Sequence, residues 1–470
     1  MNNAFQHNSG MEFRDREPER RRLRRLARGA GGGLLVVWGR RRVGKSRLLL
    51  EWIREGRGLY WVADESAPSL QRRYLAGALE ARLPGFGRAE YPDWASLFAR
   101  LGRDAKNAGW RGPLVLDEFP YLARSSPELP SVLQGFVDRD AHEAGLVLAL
   151  AGSSQRMMQG LVLRSDAPLY GRAREAMKLL PIPPGHLGPA LGLRDPVRAV
   201  EAYAAWGGIP RYWELAAPYR DTRRAVDDLV LDPLGPLHDE PARLLIEETP
   251  PATALRPVLD AIGSGAHRVS EIAGRLEQPA TSLARPLARL QELDLVEREI
   301  PFGEPERSGK RALYKLADPF LRLWFTLVAP RRGFLAQASR RDRMRLFDEA
   351  FPRLVSLAWE ELCRRAVPLL GGRWGPARRF WLGAGPEWDV VARSKDALLL
   401  GEAKWSAREL SPAEVERSVR ALRANGVPAV AVPPGTAVHS CLFAPRLRRP
   451  HTPARNIDFV DAAEVLSVLR

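Results

Sequence analysis

Three things are scarce in this chain. Cysteine is the first: only Cys363 and Cys441 occur in 470 residues. That count excludes a disulfide framework and a zinc site built on cysteines. Long apolar runs are the second. The longest, Leu146 to Ala151, has the length of a core strand, whereas about 18 apolar residues are needed to cross a bilayer. Met1 to Gly10 is polar and lacks an apolar h-region, so neither a secretory signal nor a membrane partner is expected, and the location expected is cytoplasmic. Acidic residues are the third. Asp and Glu number 56 against 72 Lys and Arg, a formal net charge of +16. A basic surplus attracts polyanions over long range, which points to nucleic acid. An Arg-rich, GC-biased genome gives the same surplus, and Arg far outnumbers Lys.

What is present is organised around Gly39-Arg40-Arg41-Arg42-Val43-Gly44-Lys45-Ser46. It fits G-x-x-x-x-G-K-[ST] at every fixed position. The apolar run Leu34 to Trp38 precedes it, and Leu48, Leu49, Trp52 and Ile53 follow at helical spacing. Strand, loop and helix is the context the chemistry needs. Glycines let backbone N–H groups turn toward a phosphate at the positive end of a helix. Gly39, Arg42, Val43, Gly44, Lys45, Ser46 and Arg47 are therefore the candidate ATP-binding residues, with Lys45 on the β- and γ-phosphates and Ser46 on Mg²⁺.

The other half of a nucleotide site is expected at Pro113 to Glu118, a buried strand that ends in two acids. Asp117 can hold the Mg²⁺ shell and Glu118 can act as general base. Another apolar strand, Leu146 to Leu150, leads to Gly152-Ser153-Ser154. Ser153 there either senses a γ-phosphate or, like Ser154, caps a helix. Arg172 and Arg174 precede a strand expected over Met177 to Ile182. They are γ-phosphate contacts or members of a solvated loop. A lead-in helix is expected around Phe13, Arg16 and Glu17, near the adenine or simply solvated. Pro210, in Gly207-Gly208-Ile209-Pro210, is placed against a base or serves as a helix stop.

Residues 254 to 316 show helical faces at Leu255 to Ile262, Ile272 to Leu276 and Leu283 to Leu293, then two β-like segments. Three helices and a hairpin form the winged-helix pattern. Arg285 and Arg289 are expected to face outward from the third helix, ready for DNA, although the same unit serves elsewhere for packing.

A second chemical constellation lies near the end. Asp389 sits in a strand, and Glu402 and Lys404 lie one strand period apart on the next. A hairpin brings Asp389 beside them, and two carboxylates then make a Mg²⁺ site with the lysine orienting a water. Glu360, on a preceding helix, is the natural additional acid. An ordinary surface Glu–Lys pair is the alternative. A helix over Pro412 to Asn425 and a strand over Pro428 to Val432 are expected to follow.

Taken together, these motifs resemble the archaeal and bacterial ATPase family of the STAND class of P-loop NTPases, with a DUF234-type C-terminal region. The likeness also rests on Leu116-Asp117-Glu118-Phe119-Pro120, Leu169-Tyr170-Gly171-Arg172, Tyr314 to Phe320 and Glu402-Ala403-Lys404-Trp405. The resemblance implies a multidomain α/β chain: a P-loop ATPase core (12–190) with a parallel sheet, a helical lid (191–250), a winged helix and connector (251–330), and a restriction-endonuclease-like α/β domain (331–470). It implies ATP and Mg²⁺ as cofactors. It also implies catalytic roles for Lys45 and Glu118, and for Asp389, Glu402 and Lys404 if the nuclease-like domain is active. A DNA-acting ATPase–nuclease is the main expectation, and a nucleotide-driven switch with an inactive nuclease-like domain is the alternative. Homo-oligomers and protein partners are left open.

Overall fold

The computed structural model describes all residues except 1–14, 30, 154, 163–164, 166, 249–254, 308, 310, 384, 431–434 and 448–456. Phe13 and Ser154 lie outside the described residues. The described chain divides into two bodies, Asp15–Pro181 and Ile182–Arg470.

The first body is built on five parallel strands in the order β2-β3-β4-β1-β5. They are β1 (Gly33–Trp38), β2 (Leu59–Val62), β3 (Leu114–Asp117), β4 (Val147–Gly152) and β5 (Ala173–Lys178). Leu34 to Trp38 and all of β3 and β4 are buried, as near-continuous apolar strands must be when helices cover both faces. The register matters for chemistry. Trp38 pairs with Gly152, and β4 lies between β1 and β3. The carboxyl ends of β1, β4 and β3 therefore share one sheet edge, where ligands of open α/β sheets bind. That edge carries the loop after Trp38, Ser153 and the Asp117-Glu118 pair.

β5 begins at Ala173, not near Met177, so Arg174 lies within the strand. Ala173 pairs with Leu34 at the start of β1, and Lys178 pairs with Trp38. Arg172 and Arg174 thus sit at the amino edge, a strand length of roughly 15 Å from the phosphate loop at about 3.3 Å per residue.

In the second body, one continuous apolar core runs from Ile182 to Leu469 through the stretches expected as lid, winged unit and C-terminal domain. The helices Arg256–Gly263, Val269–Leu276 and Ala284–Glu292 are followed by the antiparallel pair β6 (Val296–Glu299) and β7 (Leu313–Leu316). The 27-residue helix Arg340–Ala366 then packs on a sheet of order β12-β11-β10-β9-β8. Its strands are β8 (Arg378–Phe380), β9 (Trp388–Arg393), β10 (Ala397–Ala403), β11 (Ala437–Phe443) and β12 (Ile457–Val460). β9 and β10 form the expected antiparallel hairpin. Residues 428–430 are not a strand, and the rest of that expected segment lies outside the described residues. The strand beside β10 is β11 instead.

Candidate functional site

The phosphate loop holds its shape through two backbone constraints. Gly39 has φ +151°, and a Cβ there would lie 2.4 Å from the Leu179 carbonyl oxygen, so only glycine fits. Gly44 is left-handed and leads directly into the helix Lys45–Arg54. Arg42 is also left-handed, at φ +66°, and Val43 is fully buried. The Lys45 ammonium is buried and donates to the carbonyls of Gly39 and Arg40, at 2.9 and 3.3 Å. Arg47 leans on Glu51 one turn along, at 4.0 Å.

Ser46, Asp117, Glu118 and Ser153 are brought together beside this loop. Ser46 Oγ donates to Asp117 Oδ2 at 2.6 Å. Asp117 is 1% exposed, and its Oδ1 accepts from the Glu118 N–H at 2.9 Å. Glu118 takes a left-handed backbone, φ +52°, as the chain turns from β3 into the helix Phe119–Ser125. That turn aims its carboxyl at β4, where Ser153 Oγ donates to it at 3.0 Å. A hydroxyl and a carboxylate 2.6 Å apart form the hard-oxygen donor set that Mg²⁺ prefers, so Ser46 and Asp117 fit that ion.

Two residues of this edge are not found as site residues from sequence. Tyr60, on β2, donates its hydroxyl to Asp117 Oδ2. Burial, then the Asp117 charge, pushes the phenol far above its usual range. Arg16 is 4% exposed and donates to Val43 O at 3.0 Å and Leu180 O at 2.7 Å. Only the β2–β3 register reveals the first. For the second, the sequence places Arg16 in a lead-in segment near the adenine or in solvent, without pointing to the loop carbonyl it meets.

Arg172 and Arg174 are a correction. Arg172 Nε donates to both oxygens of Asp138 at 3.0 Å, and Arg174 donates to the Gly32 carbonyl. At the amino edge of the sheet, neither reaches a γ-phosphate bound at this loop. Pro210 opens the helix Pro210–Ala216 in the second body. Its turn has a packing reason: a Cβ at Gly207 would lie 2.7 Å from Asp318 Oδ1, and Trp213 Nε1 donates to Gly207 O at 2.8 Å.

In the C-terminal sheet, the β9–β10 pairing ends at Gly401–Val390, one residue short of Glu402 and Asp389. Asp389 Oδ2 accepts the Ala403 N–H at 3.0 Å, and Lys404 Nζ lies 2.6 Å from Glu402 Oε1. Burial, then the Glu402 charge, raises the Asp389 carboxyl above its ordinary range. Glu360 is pushed up to about 7, first by burial and then by Asp389. Glu361 points elsewhere, to Arg322 and Arg365. Among the described residues no group of three or more His, Cys, Asp or Glu is arranged to hold a metal. Arg285 is exposed, but Arg289 is only 16% exposed and paired with Glu292 at 2.8 Å. The outward-facing Arg289 is thus a second correction: it immediately precedes the buried Leu290, two residues after the buried Leu287, and lies against that face.

Comparison with known proteins matches two separate stretches of the chain. Residues 13–184 match the model of an ATPase domain found predominantly in Archaea, and residues 324–417 match a family of archaeal and bacterial proteins of unknown function. An uncharacterized protein of Methanocaldococcus jannaschii is 29% identical over 321 residues, 68% of this chain and 69% of that protein. Among solved structures, the Walker-type ATPase of Pyrococcus abyssi is similar with a TM-score of 0.52 at 21% identity, covering 66% of this chain and 95% of that one. The ORC2 protein of Aeropyrum pernix, solved with ADPNP and ADP, gives a TM-score of 0.46 at 16% identity over 72% of this chain and 94% of that one. The chain carries an archaeal-type P-loop ATPase domain, an ATP-binding and ATP-hydrolysing unit, joined to a domain of unknown function. No helix among the described residues is long and apolar enough to cross a membrane.

Proposed function

We propose that the chain is a cytoplasmic nucleotide-driven switch: the first body binds and hydrolyses ATP, and the second engages a nucleic-acid or protein partner without cutting it. One contrast carries this reading. At the first sheet, Lys45, Ser46, Asp117, Glu118 and Ser153 meet on one edge, and the Glu118 carboxylate has a hydroxyl, not a cation, as its side-chain partner. At the second sheet, Asp389 is tied to a backbone N–H and Glu402 to Lys404, with no third acid arranged for a metal among the described residues.

The roles follow from the geometry. Lys45 balances phosphate charge inside the loop, and the loop N–H groups donate to the remaining phosphate oxygens. Ser46 and Asp117 would hold Mg²⁺, which supplies charge neutralisation on the phosphates. Glu118 accepts the proton of the attacking water. Ser153 holds Glu118 until a γ-phosphate competes for its hydroxyl. The three helices and hairpin of residues 256–316 are read as a winged helix, and the +16 charge supports nucleic acid as its partner.

A metal-dependent nuclease is the second reading, favoured by the closeness of Asp389 to the end of β10, where its Oδ2 accepts the Ala403 N–H and the Glu402 charge bears on its carboxyl. Purified protein with Mg²⁺ or Mn²⁺, with and without ATP, on single- and double-stranded DNA and RNA separates the two. ATP turnover without strand cleavage supports the switch. Cleavage that disappears in Asp389→Asn and Lys404→Ala overturns it in favour of the nuclease.

A further inference from the structure

Asp117 Oδ2 accepts two hydroxyl groups, from Ser46 at 2.6 Å and from Tyr60. The donors come from different elements. Ser46 is the second residue of the helix that follows the phosphate loop, and Tyr60 lies on β2, the strand at one end of the sheet. Tyr60 pairs with Val115, two residues before Asp117, so the phenol reaches along β3 to its carboxyl end. The oxygen they share belongs to a carboxylate that is 1% exposed.

We propose that Tyr60 is a positioning residue for the metal end of the nucleotide site: its hydroxyl pins the Asp117 carboxylate against Ser46, so that the pair is set to receive the divalent cation of a metal–nucleotide complex. This deepens the proposed function and rests on its reading that Ser46 and Asp117 hold Mg²⁺. A serine hydroxyl has one proton and two lone pairs. While Ser46 donates to Asp117, its lone pairs are left for a cation. That state lasts only while Oδ2 stays within reach of Ser46. The terminal torsion of an aspartate is broad and roughly two-fold. The Glu118 N–H holds Oδ1 at 2.9 Å, and without the phenol Ser46 is the one side-chain donor on Oδ2 among the described residues. A second donor on that oxygen narrows its swing. Tyrosine suits the task because its hydroxyl is carried by a rigid ring, so the backbone of β2 fixes where it sits. Tyr60 touches neither phosphate nor cation in this role; it acts through Asp117.

The consequence separates metal from nucleotide. Tyr60→Phe keeps the ring and removes the hydroxyl. Binding of a fluorescent ATP analogue is measured in EDTA and across a Mg²⁺ titration, and the spectrum of bound Mn²⁺ is recorded by electron paramagnetic resonance. Losing one hydrogen bond to a charged group predicts a rise of about tenfold in half-saturating Mg²⁺, with the affinity in EDTA changed by less than about twofold. A broadened Mn²⁺ spectrum is expected with it. An unchanged Mg²⁺ titration overturns the proposal. An equal loss of affinity in EDTA overturns it too, because the hydroxyl would then serve the fold. Ser46→Ala is the control for the underlying reading. If wild type and Ser46→Ala show the same Mg²⁺ titration, the metal assignment itself fails, whatever Tyr60→Phe does.

Discussion

Ser153 Oγ lies 3.0 Å from one carboxylate oxygen of Glu118 and 3.2 Å from the other. The two residues directly follow neighbouring strands, β4 and β3, and no cation is paired with Glu118 among the described residues. A carboxylate held this way keeps its aim. Glu118→Gln keeps the shape and the contact but cannot accept a proton. It should bind ATP within about twofold of wild type and turn over about 10² to 10⁴ times more slowly, the usual weight of general-base catalysis. Nucleotide binding and single-turnover phosphate release check this, and wild-type turnover in the variant removes Glu118 as the base.

Arg16 joins the phosphate loop to the end of β5 by donating to Val43 O and Leu180 O. Its neighbour Asp15 and Arg16 itself both have left-handed backbones, φ +63° and +70°, so the chain spends conformational energy to put the guanidinium there. Arg16→Met keeps much of the apolar stem and strands the buried Val43 carbonyl, whereas the Leu180 carbonyl lies on an exposed residue. At about 1–3 kcal/mol for a buried group left unpaired, the melting temperature should fall by several degrees and ATP affinity with it. Arg16→Lys should recover only part, because an ammonium is a point donor and cannot reproduce the planar fork. Calorimetry and nucleotide titration on the same samples test both statements. An unchanged ATP affinity in Arg16→Met would show that Val43 needs no such support.

The phosphate loop is legible in sequence because its requirements are local: two glycines, a lysine and a serine at fixed spacing between a strand and a helix. The acidic strand is legible for the same reason. Strand order is not, since nothing local says that β4 enters between β1 and β3, and that insertion is what sets Ser153 beside Glu118. Arg172 and Arg174 are misleading in sequence because β5 starts as a sheet-edge strand of alternating exposure, Ala173-Arg174-Glu175, without an apolar run. β11 escapes notice because its first four residues, Ala437 to Ser440, are exposed or half-buried. Tyr60 depends on a register that no single strand contains.

Glu360 gives a pH dependence of defined sign. Its carboxyl, raised from 4.5 to about 7, is protonated in the fold at a pH where the unfolded chain has lost the proton. Between those values the native state binds more protons than the unfolded one, so stability falls as pH rises from about 4.5 through 7 and levels above it. The effect is bounded at about 3 kcal/mol, because each tenfold change in proton affinity is worth about 1.4 kcal/mol. Glu360→Gln mimics the protonated form. It should melt higher than wild type at about pH 8 and match it near about pH 5, in thermal scans across that range. A variant that melts lower at the alkaline end would mean that the charged carboxylate is wanted there, as a metal site would require.

Arg285 and Arg289 should respond differently to charge reversal. Arg285 is exposed on the helix Ala284–Glu292, whereas Arg289 is 16% exposed and ion-paired with Glu292. If the three-helix and hairpin unit binds nucleic acid through this helix, Arg285→Glu should weaken binding on every sequence and lower the slope of log affinity against log salt by about 1–2, since one positive contact is lost and a like charge added. Arg289→Glu should act through stability instead, because it sets two carboxylates together on a half-buried helix face. Its melting temperature should drop, with the salt slope retained in the folded fraction. Fluorescence anisotropy on a DNA duplex from about 50 to 200 mM salt, beside thermal melts, distinguishes the cases. An identical slope for wild type and Arg285→Glu assigns this helix to packing, and a wild-type slope near zero would trace the +16 charge to an arginine-rich genome.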